Sequence, residues 1–242
     1  PLAHNESWPE ITEIEAVTRA ICFAQASKVH LHLAHLSLPE SFALVWEGQD
    51  KGIFVTAETC PHYLVLNMDR WKDIGARYKI NPPLRSEEAR MGLWELLADG
   101  YINLVGSDNA PHTPEIVDDI FDNPSGSPGI ETLVPLVFSE GVSQRQISLS
   151  RFAQLISSNP ARLLGIYPKK GAIRIGSDAD LMVIDPKKKW TIEGKNLQTP
   201  CKLTVFEGIP VTGNVISTFV RGKQVYIDGE VTGQPGDGQF VS

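Results

Sequence analysis

Val29-His30-Leu31-His32-Leu33-Ala34-His35, a helical stretch from Pro39 to Trp46 that Gly52 ends, and Ile53-Phe54-Val55-Thr56-Ala57 follow one another along the chain. The two outer segments are dense in β-branched, aromatic and leucine side chains, which suit a pleated, half-buried surface. Strand, helix, strand in that order builds a parallel pair, because parallel strands need a crossover and a helix usually supplies it. The pattern extends both ways. Upstream, Ile14, Val17, Ile21 and Ala24 recur at helical spacing from Glu13 to about Gln25, and Thr12 with Glu15 forms a capping-box pattern that marks the start. Downstream, Glu87 to Ala98 reads as a helix closed by Gly100, and Ile102 to Gly106 as a short apolar strand. The expectation is an α/β chain of parallel βα units, either a barrel or an open doubly wound sheet. No GxGxxG or P-loop follows any strand, which counts against a nucleotide fold.

Past Ser148 the pattern changes. One more amphipathic helix spans Ser150 to Leu164, and beyond Pro168 only short strands remain, separated by Gly, Pro and Asp: Asp180 to Ile184, Trp190 to Ile192, Leu203 to Phe206, Val215 to Val220 and Gln224 to Ile227. Such spacing predicts an all-β sandwich. The expected division is therefore a partial barrel over residues 1–168 and a β-sandwich over 169–242.

The 242 residues are 42% hydrophobic and 21% charged, ordinary globular material. A net charge of −7 argues against a nucleic-acid surface, which needs clustered Lys and Arg. The basic run Lys187-Lys188-Lys189 follows Pro186 and reads as a solvated turn. No apolar stretch approaches the ~18 residues of a membrane span, and the N-terminus lacks the pattern of a signal peptide. Cys22, Cys60 and Cys201 are odd in number and far apart, suggesting neither a disulfide framework nor a CxxC site, and a reducing, cytoplasmic setting is expected.

Barrel chemistry sits at the C-terminal ends of strands. His35 ends the first strand, and Asp108 follows the short strand ending at Gly106; imidazole and carboxylate are ligands zinc uses when a position stays open for water. Each has a plain structural alternative, a packed core histidine and a helix N-cap. In Lys79-Ile80-Asn81-Pro82-Pro83-Leu84-Arg85 two prolines stiffen an extended loop, so that Asn81 can present a donor and an acceptor to a cyclic amide, or the segment simply ends a helix. Pro124-Ser125-Gly126-Ser127-Pro128-Gly129 opens a helix over Ile130 to Phe138; it is either a ligand-facing backbone or an ordinary surface loop.

Seven segments in order resemble the markers of the dihydroorotase, allantoinase and hydantoinase group of cyclic amidohydrolases. They are Leu31-His32-Leu33-Ala34-His35-Leu36-Ser37, Glu58-Thr59-Cys60-Pro61-His62-Tyr63-Leu64, Asn81-Pro82-Pro83-Leu84-Arg85, Ser107-Asp108-x-Ala110-Pro111-His112, Ser125-Gly126-x-Pro128-Gly129-x-Glu131, Asn159-Pro160-Ala161, and Gly171-x-Ile173-x-x-Gly176-x-Asp178-Ala179-Asp180-Leu181. The resemblance covers nearly the whole chain and implies the C-terminal part of a metal-dependent TIM-type (β/α)8 barrel followed by a small β-sandwich. It implies that His35 is the last histidine ligand of a zinc centre, binuclear in the full-length protein, and that Asp108 is both metal ligand and general base, the two converging on one ion. Asn81 then meets the amide backbone of the substrate, His112 its carboxylate, and Pro128 and Gly129 line the pocket with main-chain groups. His62 resembles a packed structural histidine, and His30 and His32 supporting or buried residues. The implied reaction opens a cyclic amide, Asp108 taking a proton from the attacking water and passing it to the departing ring nitrogen.

The chain departs from this pattern in three ways. The His-x-His pair, the bridging carboxylated lysine and the first of the later histidine ligands are expected N-terminal to Pro1, so a preceding segment is required for a complete centre. Without it a half-barrel would also expose strand edges. Asn109 stands where a histidine is common and cannot titrate. The segment between His112 and Asp119 is short for a lid loop. Within the group, Asn81 to Arg85 and His112 favour a dihydroorotase acting on dihydroorotate or N-carbamoyl-aspartate, whereas Pro9 to Ala16 and Glu58 to Tyr63 look more like allantoinase or hydantoinase/dihydropyrimidinase. A non-catalytic amidohydrolase-like scaffold is the alternative of a different class. The expected partners are a small cyclic amide and further copies of the chain, as a dimer or tetramer, without nucleic acid or membrane.

Overall fold

A computed structural model describes residues 2–75, 79–112, 117 and 119–241. The chain forms two compact units, Pro1–Leu133 with Ile192–Ile209, and Val134–Thr191 with Pro210–Ser242.

In the first unit α1 (Leu2–Ser7) and α2 (Glu10–Ser27) precede β1 (Leu31–Leu33), and α3 (Pro39–Asp50) leads to β2 (Val55–Thr59). Three helices, α4 (Pro61–Val65), α5 (Trp71–Ile74) and α6 (Glu87–Asp99), then lead to β3 (Leu104–Val105). The strands lie in the order β1-β2-β3 with both pairs parallel, Leu31 opposite Val55 and Glu58 opposite Leu104. This is the expected βα architecture. Along β2 the alternation is strict: Val55, Ala57 and Thr59 are buried while Thr56 and Glu58 are half-buried. The buried face lies under helices whose core side chains include Phe42, Val45, Leu93 and Leu97. Each such side chain contributes roughly 1.5–3 kcal/mol by leaving water. The other face is polar: His32 Nδ1 lies 2.9 Å from Thr56 Oγ1, and His32 Nε2 is 3.4 Å from Glu58.

Local chemistry sets the helix ends. Ser86 Oγ accepts from Ala89 N–H at 3.1 Å to start α6, and Gly100, at φ 95°, ends it in the left-handed region. Pro39 opens α3 at a position where its missing N–H costs nothing. The start of α2 corrects the sequence expectation: the helix begins at Glu10 after Pro9, and Thr12 Oγ1 donates to the Pro9 carbonyl instead of capping. Strands β1 and β3 are shorter than expected, and His30 is exposed rather than buried.

The division between the units falls inside α7 (Ile130–Val137), which runs on as a wider π-helical stretch, Phe138–Gln144. The helix expected over Ser150 to Leu164 is α8 (Leu149–Ala153), π-helical turns over Gln154–Ser158, and α9 (Asn159–Leu163). The β-rich part of the second unit is one antiparallel sheet in chain order, β4 (Leu181–Thr191), β5 (Pro210–Val220), β6 (Lys223–Ile227) and β7 (Glu230–Val231). Two expected strands merge into β4, whose register shifts between Asp185 and Lys189, because Pro186 has no N–H to give the ladder and Asp185 Oδ1 takes the N–H of Lys187 at 2.9 Å. Leu203 to Phe206 forms no strand. Val205 and Phe206 are apolar because they are buried in the first unit, at 2% and 1% exposure. Among the described residues no helix is long and apolar enough to cross a membrane.

Candidate active site

The expected functional residues lie beyond the C-terminal ends of the three parallel strands. His35 follows β1 and adopts φ 47°, and Asp108 follows β3 at φ 44°, both in the left-handed region that non-glycine residues seldom visit. Such conformations persist where neighbours fix the backbone, and they gather at functional sites. Around His35 the fixing groups are on β2: Leu36 N–H donates to the Glu58 carbonyl and Thr59 Oγ1 to the Leu36 carbonyl, each at 2.9 Å. His35 Nδ1 is buried and has no hydrogen-bond partner among the described residues.

Cys60 follows β2 and His62 lies in the first turn of α4, and both come close to Asp108. One ligand atom from each of Cys60, His62 and Asp108 lies within 4.8 Å of the others. Bonds of ~2.0–2.3 Å let one cation bridge atoms at about that span. Cys60 is 0% and His62 4% exposed, and His62 Nε2, like His35 Nδ1, is a buried nitrogen without a partner among the described residues. Burial, with His35 adding to it, lowers the His62 pKa to about 3, so the ring is neutral and keeps a lone pair to offer. Burial, then Asp108 and Glu58, pushes the Cys60 thiol well up. Imidazoles and a carboxylate are donors that suit a zinc-like cation, and the Cys60 sulfur would join them only on losing its proton. His35 stands outside the group of three, close enough to His62 to influence its charge.

Three loops meet beside this centre. Asn81 Nδ2 donates to Ser125 Oγ at 3.1 Å, and His112 Nε2 lies 2.9 Å from the Ser125 carbonyl. Gly126 N–H donates to the Lys79 carbonyl at 2.9 Å and Ala110 N–H to the Ser127 carbonyl at 3.0 Å. Asn81 and His112 are exposed, with polar edges available to a ligand, while Pro128 and Gly129 are buried in the loop wall. Gly129 is required by packing: a Cβ there would run into the Ser107 carbonyl oxygen. At Gly106 a Cβ would stand 2.5 Å from Glu58 Oε1, the end of a side chain that can swing aside, so the constraint there is softer than at Gly129.

Asn109, the departure noted in the sequence, has a structural task. Its Oδ1 accepts the N–H groups of Gly129 and Ile130 at 3.0 and 3.4 Å, tying the start of α7 to the loop that bears Asp108. The short segment after His112 includes residues 113–116 and 118, which lie outside the described residues. Sequence reasoning did not join Cys60 and Ser125 to the site; His62, expected as a packed structural histidine, is buried with its ring edge-on to Tyr63 and lies in the same group as Cys60 and Asp108. The Cys60-x-His62 spacing straight after a strand was the available signal, hidden by counting cysteines only against one another.

The Amidohydrolase family model matches residues 13–225. The L-hydantoinase of Paenarthrobacter aurescens is 36% identical over 99% of this chain, and the allantoinase of Deinococcus radiodurans 38% identical over 95%. Among solved structures, the L-hydantoinase (dihydropyrimidinase) from Arthrobacter aurescens superposes with a TM-score of 0.94 at 36% identity over 97% of this chain, and the dihydropyrimidinase from Brevibacillus agri with 0.92 at 34% over 98%. The chain spans about half the length of these relatives, 53% of the L-hydantoinase and 51% of the allantoinase. Parallel βα units, a carboxylate and imidazoles at the strand ends, and this extent of similarity lead to one conclusion: the chain belongs to the amidohydrolase family, in its cyclic amidohydrolase group.

Proposed function

We propose that the protein carrying this chain opens cyclic ureides, namely hydantoins, allantoin or dihydropyrimidines, by metal-dependent hydrolysis of a ring C–N bond. The carrying observation is the meeting of Asp108 with His62 and Cys60 at the strand ends, beside loops whose exposed polar edges come from Asn81 and His112, both bonded to the half-buried Ser125. The relatives named above are hydantoinases, an allantoinase and dihydropyrimidinases, which favours this substrate class over the dihydroorotate first expected from Asn81 to Arg85 and His112.

In this proposal His35 and Asp108 are metal ligands, with His62 and Cys60 beside them, and further ligands come from outside this chain. Bound there, a divalent cation such as zinc supplies Lewis acidity and lowers the pKa of water towards ~7. Asp108 takes the proton of the attacking water and delivers it to the departing ring nitrogen, so one carboxylate serves both halves of the reaction. Asn81, braced by Ser125, holds the ring's amide edge with one donor and one acceptor. His112 and the main chain at Pro128 and Gly129 complete the pocket. The division into a partial barrel over 1–168 and a sandwich over 169–242 belongs to the same proposal.

The test uses the full-length protein, metal-loaded, with hydantoin, allantoin, dihydrouracil and dihydroorotate as substrates and the ring-opened product as readout. Turnover of at least one of the first three, well above dihydroorotate, is expected. Turnover of dihydroorotate alone, or of none of the four by a metal-replete protein, overturns the proposal.

A further inference from the structure

Glu13 and Arg85 are both buried, at 8% and 7% exposure, although charged side chains seldom are, and the catalytic proposal uses neither. They meet at the turn that follows His35. Glu13 Oε1 accepts the N–H groups of Ser37 and Leu38 at 3.0 and 3.2 Å and the hydroxyl of Ser41 at 2.8 Å, and Oε2 accepts the Ser37 hydroxyl. Arg85 Nε donates to Ser37 Oγ at 2.9 Å, Nη1 donates to the Trp8 carbonyl at 2.8 Å, and Nη2 lies 3.5 Å from Glu13 Oε2. Leu38 precedes α3 and caps it with no side-chain bond of its own, and a carboxylate carried by α2 takes the N–H groups of the two residues that lead into that helix.

The chemistry of this arrangement is specific. The Ser37 hydroxyl has one proton, which goes to Glu13, and its lone pair takes the Arg85 Nε–H, so the three groups are ordered as a chain rather than placed as a loose pair. The ordered chain ends two residues after His35, whose φ of 47° is not a conformation the residue keeps unaided. Residue 36 is already tied to β2 on both its N–H and its carbonyl. Residues 36, 37 and 38 are thus all anchored, and a backbone anchored that way has little freedom to turn the imidazole elsewhere.

We propose that Glu13 and Arg85 are positioning residues: a buried clasp that holds His35 in its left-handed conformation and so fixes its imidazole as a metal ligand. The inference rests on the proposed ligand role of His35, and its test separates the two. Full-length protein is stripped with a chelator and titrated with cobalt(II), following the visible absorption that reports ligand geometry alongside far-UV circular dichroism. His35→Ala comes first, and loss or weakening of a cobalt site is expected. If cobalt binding to His35→Ala is unchanged, the ligand role fails and the clasp proposal falls with it.

With that step passed, Glu13→Gln, which puts an amide N–H₂ among groups that already donate, should weaken the same site by roughly 10-fold or more. Partners that orient metal ligands have effects of roughly 10–100-fold. The cobalt spectrum should change while circular dichroism stays native. Arg85→Lys keeps the charge but loses the Nε bond to Ser37, and should give a smaller loss, roughly 3–10-fold. Arg85→Lys also serves if Glu13→Gln does not fold. A folded variant, destabilised but with cobalt affinity within about twofold of wild type and an unchanged spectrum, would show a merely structural pair and overturn the proposal.

Discussion

Adding one methyl group at position 129 probes the wall of the site without replacing any polar side chain. A Cβ on Gly129 would collide with the carbonyl oxygen of Ser107 and lie 3.2 Å from its carbonyl carbon and 3.5 Å from its Cβ. The first obstacle is backbone, so no rotamer change relieves it. The 124–129 loop or the 107–112 loop must move, by on the order of 1 Å. Forcing extra volume into a packed site costs typically 1–3 kcal/mol. The movement also strains Gly129 N–H to Asn109 Oδ1 at 3.0 Å and Ala110 N–H to the Ser127 carbonyl at 3.0 Å, the bonds that flank Asp108. A misplacement of ~1 Å at a reacting group costs about 10²-fold in rate. Gly129→Ala in the full-length protein should therefore lose 1–3 kcal/mol in denaturant unfolding and about 10²-fold in kcat. Gly238→Ala, where a Cβ meets nothing within 4 Å, is the control and should change neither. A Gly129→Ala enzyme with kcat within about threefold of wild type would refute the claim that contact between these loops sets the position of Asp108.

Three further outcomes are expected. Asp108→Asn should lower kcat by ~10³-fold or more, since it removes the proton carrier and a metal ligand together, and a loss of tenfold or less would contradict the assignment. Asn81→Ala should raise KM by about 5–100-fold, the worth of two ordinary hydrogen bonds, with kcat nearly kept; a large fall in kcat at constant KM would place Asn81 in the chemical step instead. Stability of the metal-free protein should depend on pH through His62. Its folded pKa, about 3, lies below the ordinary histidine value of 6.5, so below pH 6.5 the unfolded chain binds a proton that the folded chain refuses. Unfolding free energy should then fall by roughly 1 kcal/mol per pH unit between pH 6.5 and 3, and His62→Gln should flatten that slope.

How much of this was legible in the sequence follows from the range of each interaction. Strand–helix alternation and the Ser86 and Gly100 helix ends are written in neighbouring residues, and β2 and α6 lie close to their expected places. The start of α2 was misplaced because Pro9 and Thr12 compete for the same turn, a local contest that a capping-box pattern alone does not decide. In sequence β4 looks like two strands because Pro186 interrupts it, whereas the sheet absorbs that residue within a register shift. Within the site, His35 and Asp108 could be named through motif resemblance and strand-end position. Cys60 and His62 could not be joined to Asp108 without the parallel register that brings β2 beside β3. The Glu13–Arg85 clasp joins positions 72 residues apart in the chain (85 − 13), and no periodic pattern encodes such a pair. The role of Asn109 was equally hidden, since its partners are main-chain N–H groups at Gly129 and Ile130.

The most direct test of the central claim is a crystal structure of the full-length protein grown with zinc, with anomalous scattering recorded at the zinc edge. A peak within ~2.3 Å of an Asp108 carboxylate oxygen, and a peak (the same or a second) within that distance of a His35 nitrogen, is the expected result. Zinc peaks confined to other parts of the molecule, with Asp108 and His35 free of metal, would contradict it.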